Sequence, residues 1–150
     1  MSHSRIIQVS KKVISESEYT KVSDLDVEAL QSEIQGIDYV CESDNSRRED
    51  LDWLKTQLEK IDFSLDGEKI ITGTDSQFLS QWKEEAVEAA ENLDLWKMNL
   101  IASGAHFNAF YILDEDYGYP VSLWRWAKDI VEENTTNQTF YVGGIIDYHF

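Results

Sequence analysis

The chain has 150 residues, 42% of them apolar and 12% aromatic, with one cysteine and a formal net charge of −16. A length close to the commonest domain size lets roughly 70% of the unfolded surface be buried, so a single domain over residues 1–150 needs no disulfide or metal staple. Twenty-nine acids against 13 bases repel phosphates and anionic lipid, which argues against direct nucleic-acid or membrane binding and favours cations or a basic protein partner.

The lone thiol, Cys41, excludes an intrachain disulfide and fits a reducing, cytoplasmic compartment. The first residues lack the apolar run of a signal peptide, and no apolar stretch approaches the ~20 residues of a membrane span. Asn134-Thr135-Thr136 and Asn137-Gln138-Thr139 match the glycosylation pattern and, without an export signal, read as loop chemistry.

Residues 5–14 are β-branched and partly alternating, which predicts a first strand. Asp24 or Asp26 is placed to cap a short helix carrying Val27, Leu30 and Ile34 and ending at Gly36. Ile37–Cys41 reads as a short strand. Asp44 or Ser46 then caps a stronger helix with Leu51, Leu54, Leu58 and Ile61 on one face. Asp66-Gly67, set between Phe63/Leu65 and Ile70/Ile71, predicts a hairpin. The spacing of Thr74 and Gln77 opens the clearest helix, whose inner stripe is Phe78, Leu79, Trp82, Ala86, Ala89, Ala90 and Leu93. A buried strand is expected over Ala105–Leu113, a turn over Asp114–Tyr119, and a helix from Pro120 to about Glu133. Thr139–Phe150 closes the chain as a strand with apolar residues at both parities, predicting a central position. Gly143-Gly144 within it predicts a bulge or a close backbone contact. Together these elements predict an α+β domain, an antiparallel or mixed sheet packed on one face by about four helices.

No motif for phosphate or dinucleotide binding is present, and Gly143-Gly144 precedes no helix that would hold a phosphate. His3, His106 and His149 show no helical ligand spacing, so no metal or cofactor is expected. Asp114-Glu115-Asp116-Tyr117-Gly118 matches only part of an oxygen-ligand calcium loop and lacks the distal bidentate glutamate. Cys41 has no basic neighbour or helix start to lower its pKa, and a buried, inert thiol is expected. No carboxylate pair is singled out among 29 acids, so no catalytic residue is assigned.

The informative pattern is acids beside aromatics. Residues 24–52 hold ten acids and only two bases, Arg47 and Arg48. Glu84, Glu85, Glu88 and Glu91 add a second acidic array, and Trp124 and Trp126, two apart on one helix, face different sides so that one is half exposed. This favours a non-enzymatic, acidic partner-binding protein, in concrete form an inhibitor or immunity-type protein acting on a basic nucleic-acid-handling protein. The contact candidates are Asp24, Asp26, Glu28, Asp50, Asp52, Glu84, Glu85, Glu88, Glu91, Trp124 and Trp126. The alternative is a small enzyme or ligand-binding domain with a pocket built from His106, Asn108, Tyr111, Asp147 and His149.

Overall fold

A computed structural model describes residues 3–34, 36–103 and 110–150, with only the backbone described at 75–77, 99, 100, 102 and 103. The strands are β1 (His3–Ser10), β2 (Tyr39–Glu42), β3 (Ser64–Asp66), β4 (Lys69–Ile71), β5 (Tyr111–Asp114), β6 (Val121–Ser122) and β7 (Thr139–His149). The helices are α1 (Val27–Leu30), α2 (Arg47–Glu59), α3 (Asp75–Glu91), α4 (Leu95–Ser103) and α5 (Leu123–Glu133). Short 3₁₀ turns occupy Glu16–Glu18 and Val22–Asp24. Among the described residues no helix is long and apolar enough to cross a membrane.

All seven strands form one mixed sheet in the order β3-β4-β7-β1-β5-β6, with β2 also paired to β7. Among the described residues only the β1–β5 pairing is parallel. The last strand is central, as its two-sided apolar pattern predicts. β1 lies along one edge of it, while β4 and β2 share the other edge, pairing with residues 139–141 and 146–149 in turn. Between them Arg47 completes the edge, donating from Nη1 to the Gly143 carbonyl at 2.7 Å and from Nη2 to that of Val142 at 3.2 Å.

The pleat sends Ile7, Val9, Ile112, Phe140 and Val142 to one face, where Leu54 and Leu58 of α2, Phe78 of α3, and Leu123, Trp126, Ala127, Ile130 and Val131 of α5 close the larger core. The α5 residues recur at i, i+3, i+4, i+7 and i+8, the stripe of a helix lying on a sheet. Ser122 caps that helix, accepting from the Arg125 N–H at 3.2 Å. Because Val121 and Ser122 still pair with β5, the helix begins three residues after Pro120 rather than at it. The opposite face carries Ile6 and Tyr148 beneath Leu30, Ile34 and Ile37, so the sheet is covered on both sides.

The sheet is thus packed on both faces and not on one as expected. β1 ends at Ser10 instead of 14, and α1 ends at Leu30 instead of Gly36. Two further elements also differ. The described strand before the Asp114 turn is Tyr111–Asp114, and the predicted start of that strand at 105–109 lies outside the described residues. A further helix, α4, follows α3; Leu79, Ala90 and Leu93 then lie exposed instead of joining the inner stripe of α3.

Gly143 and Gly144 form the predicted bulge. The β1–β7 register shifts between Ile7 and Val9, so the glycine pair stands opposite the single residue Gln8. Gln8 Oε1 accepts from the N–H groups of both Gly144 and Thr20, each at 2.8 Å. A Cβ at Gly144 would come 2.5 Å from the Thr20 carbonyl oxygen, a backbone atom that cannot swing away, whereas at Gly143 it meets only the Gln8 and Ile14 side chains. Gly144→Ala is therefore expected to cost about 1–3 kcal/mol and Gly143→Ala less. Urea unfolding of the two variants checks this, and equal midpoints would contradict it.

Candidate functional site

The acidic candidates divide between the two layers. Asp24, Asp26 and Glu28 are exposed on the α1 side of the sheet. Asp24 Oδ2 accepts from the Lys21 N–H at 2.9 Å, and Asp26 caps α1 by accepting from the Glu28 N–H at 3.0 Å. Asp52, Glu84, Glu85, Glu88 and Glu91 are exposed on the opposite side, on α2 and α3. Asp52 lines a shallow recess with Arg48 and Lys55, so its surroundings are mixed in charge. None of these eight carboxylates forms an ion pair among the described residues; the surface pairs there are Arg47–Glu68, Lys128–Asp129 and Lys128–Glu132.

Two candidates prove to be interior. Asp50 is 3% exposed and accepts from Arg5 Nε at 3.0 Å and from the Ser43 hydroxyl at 3.1 Å. It lies one helical step before Leu54 and Leu58 and so shares their buried face. Trp126 is fully buried, donating from Nε1 to Asp114 Oδ2 at 3.1 Å. Neither is available to a partner. Trp124 is the half-exposed member of the pair, stacked on Phe78 at 5.5 Å and lying 5.9 Å from Trp82, which ties α5 to α3.

The tryptophan that stands out in solvent is one the sequence pattern did not single out. Trp96 in α4 is 67% exposed, and its neighbours Leu93, Leu95 and Met98 are exposed as well. The Asp94 carboxylate accepts from the Lys97 N–H at 2.8 Å and starts α4. With the helix thus fixed, Leu95 and Met98 fall on one side at i, i+3. The chain signal that could have found this surface is a nine-residue apolar segment, Leu95–Ser103, with a single charge, placed just after six acids.

The alternative pocket is split by the sheet. His106 and Asn108 lie outside the described residues. Tyr111 pairs with Ile6 and packs edge-on to Tyr148, whereas Asp147 and His149 pair with Arg5 and His3 and project to the other face. There β2 brings Tyr39 and Cys41 alongside them. The His149 ring stacks on Tyr39 at 4.3 Å, and its Nε2 lies 3.5 Å from Cys41 Sγ. This contact spans 108 positions of sequence, and the partly exposed Cys41 is less buried than expected. Burial, followed by the Asp147 and Asp44 charges, pushes the Cys41 thiol up. That shift disfavours the thiolate that nucleophilic attack uses. Among the described residues no three histidine, cysteine or acidic side chains assemble as a metal-binding set.

Comparison of the chain with protein-family models, curated proteins and solved structures finds no match.

Proposed function

We propose that this protein is a non-enzymatic binding protein whose carboxylate surface engages a basic protein, in concrete form an inhibitor or immunity-type blocker of a nucleic-acid-handling protein. The observation that carries the reading is the array of exposed carboxylates on α1, α2 and α3, none of them neutralised by an ion pair among the described residues. A fold needs no such array. Like charges at helical spacing repel one another, and surface acids contribute to folding chiefly when paired. Their summed field speeds encounter with a cationic surface, and a groove shaped for phosphates accepts carboxylates fixed on a helix. The polar end of the sheet at Cys41 and His149 supports catalysis less well, because its thiol is shifted away from the thiolate form.

The test is capture of binding proteins by the immobilised chain, with elution in a salt gradient. A variant with Glu84→Gln, Glu85→Gln, Glu88→Gln and Glu91→Gln serves as the comparison. A retained basic protein released in a narrow salt step, and at lower salt from the variant, is the expected result. Retention indifferent to both salt and the substitutions would remove the acidic surface from the account.

A further inference from the structure

We infer that the turn from α3 into α4 is the docking surface for a basic amphipathic helix of the partner; this rests on the partner-binding reading above and adds where the contact lies and what occupies it. Leu93, Leu95, Trp96 and Met98 are 54%, 84%, 67% and 52% exposed. Leu95, Trp96 and Met98 belong to one nine-residue helix that turns these side chains outward, whereas α5 buries all of its apolar stripe. Isolated exposed apolar residues are ordinary; four within six positions, including a tryptophan, form a patch of the kind found at contact sites. Tryptophan and methionine are the residue types enriched in the centre of interfaces, with charges at the rim.

The rim here is mainly acidic, although Lys97 stands between Trp96 and Met98. Residues 75–103 hold six acids and two bases, and Glu84, Glu85, Glu88, Glu91 and Asp94 are all exposed. Asp94 adjoins Leu93 and Leu95 directly, and Glu91 precedes Leu93 by two residues. A second copy of this chain would bring two such rims together and raise their repulsion, so self-association is disfavoured. An occupant with an apolar stripe flanked by lysine and arginine satisfies both parts of the surface. A helix supplies that pattern at i, i+3, i+4 and i+7, matching the i, i+3 spacing of Leu95 and Met98.

The full chain is titrated calorimetrically with a synthetic helix-forming peptide of about 18 residues that carries a leucine stripe between lysine and arginine flanks. A scrambled peptide of the same composition and polylysine are the controls, and circular dichroism confirms that each variant is folded. The amphipathic peptide is expected to bind more tightly than the scrambled one, and added salt to weaken it. Leu95→Ser and Trp96→Ser are each expected to weaken it about tenfold or more. The triple change Asp24→Asn, Asp26→Asn and Glu28→Gln, on the other side of the sheet, should alter binding less than about twofold. If polylysine binds but the Trp96 variant behaves as wild type, or the scrambled peptide binds as well as the amphipathic one, the docking surface is overturned and the broader reading stands. If no cationic probe binds the wild-type chain at low salt, the partner-binding reading falls with it. Concentration-dependent dimerisation abolished by Trp96→Ser makes the occupant a second copy and overturns the proposal.

Discussion

Arg5→Ala is expected to destabilise the protein by about 3–5 kcal/mol, because it strands two buried carboxylates around one lost cation. Arg5 is 7% exposed, Asp50 3% and Asp147 6%. The guanidinium lies 3.0 Å from Asp50 Oδ1 and 3.8 Å from Asp147 Oδ1, and it covers the Trp53 ring at 4.1 Å. Asp147 Oδ1 has no hydrogen bond of its own, so the Arg5 charge is its principal compensation. In thermal unfolding, such a loss lowers the midpoint by roughly 10 °C for a domain of this size. The combined variant Arg5→Met, Asp50→Leu and Asp147→Val removes every charge at once and should recover most of the loss, since apolar replacement of a whole buried ionic set is often neutral. A triple variant as unstable as Arg5→Ala would show that packing around Trp53, and not charge, governs the site.

Acid titration examines the same cluster. Burial raises the Asp147 carboxyl above its ordinary value of 3.8, and Asp50 pushes it further the same way, while Arg5, His3 and His149 pull it down. The folded protein therefore holds the Asp147 proton more tightly than the unfolded chain does. That contribution to stability is fully present below the unfolded pKa and is lost as pH rises through the raised folded value. Removing Arg5 takes away the largest opposing influence, so the window over which stability falls should extend to higher pH in Arg5→Ala. Asp147→Asn should flatten that part of the profile in either background.

The way Asp50 escapes a sequence reading shows what periodicity can and cannot convey. Leu54, Leu58 and Ile61 mark a buried helical stripe, and Asp50 lies on its extension, yet an acid is assigned to solvent by default. The assignment reverses only because Arg5, 45 positions away, meets it on the face of the sheet that α2 covers. Local patterns were sufficient for the hairpin at Gly67. They narrowed the cap of α2 to Asp44 or Ser46, of which Ser46 is the cap, and Gly143-Gly144 to a bulge or a close backbone contact, of which the bulge opposite Gln8 is found. Each of those is decided by a few neighbouring residues. The central place of β7 was also readable, because both of its faces must be apolar when both are covered. By contrast, the meeting of Cys41 with His149 depends on β2 adding to β7, and the split of Tyr111 from Asp147 depends on register. Spacing along the chain carries neither. The exposed face of α4 was missed for another reason: an apolar run is taken for core until the fold shows that nothing described covers it.

Trp126→Ala is expected to cost about 3–5 kcal/mol through lost volume alone, with a further penalty from the Asp114 carboxylate it leaves behind. The ring is fully buried, edge-on to Phe140 at 5.0 Å and Phe63 at 6.1 Å. Asp114 Oδ2 accepts from the indole N–H, while its Oδ1 accepts from the Asp116 N–H at 3.1 Å, so Trp126 holds the turn between β5 and β6 to the core. Trp126→Phe keeps part of the apolar surface and loses the N–H together with the pyrrole half of the ring, an expected cost of about 1–3 kcal/mol. Chemical denaturation of both variants measures the two parts separately, and a Trp126→Ala protein within about 1 kcal/mol of wild type would contradict the interior assignment. The functional consequence differs from that of Trp96. Trp126 reaches a partner only indirectly, through α5 and the Trp124–Phe78 stack that seats α3. At temperatures where Trp126→Phe is folded, it should bind a basic partner as wild type does, while the more stable Trp96→Ser does not. If instead folded Trp126→Phe loses binding and Trp96→Ser keeps it, the contact surface lies along α5, and the α3–α4 turn is only a solvent-exposed connection.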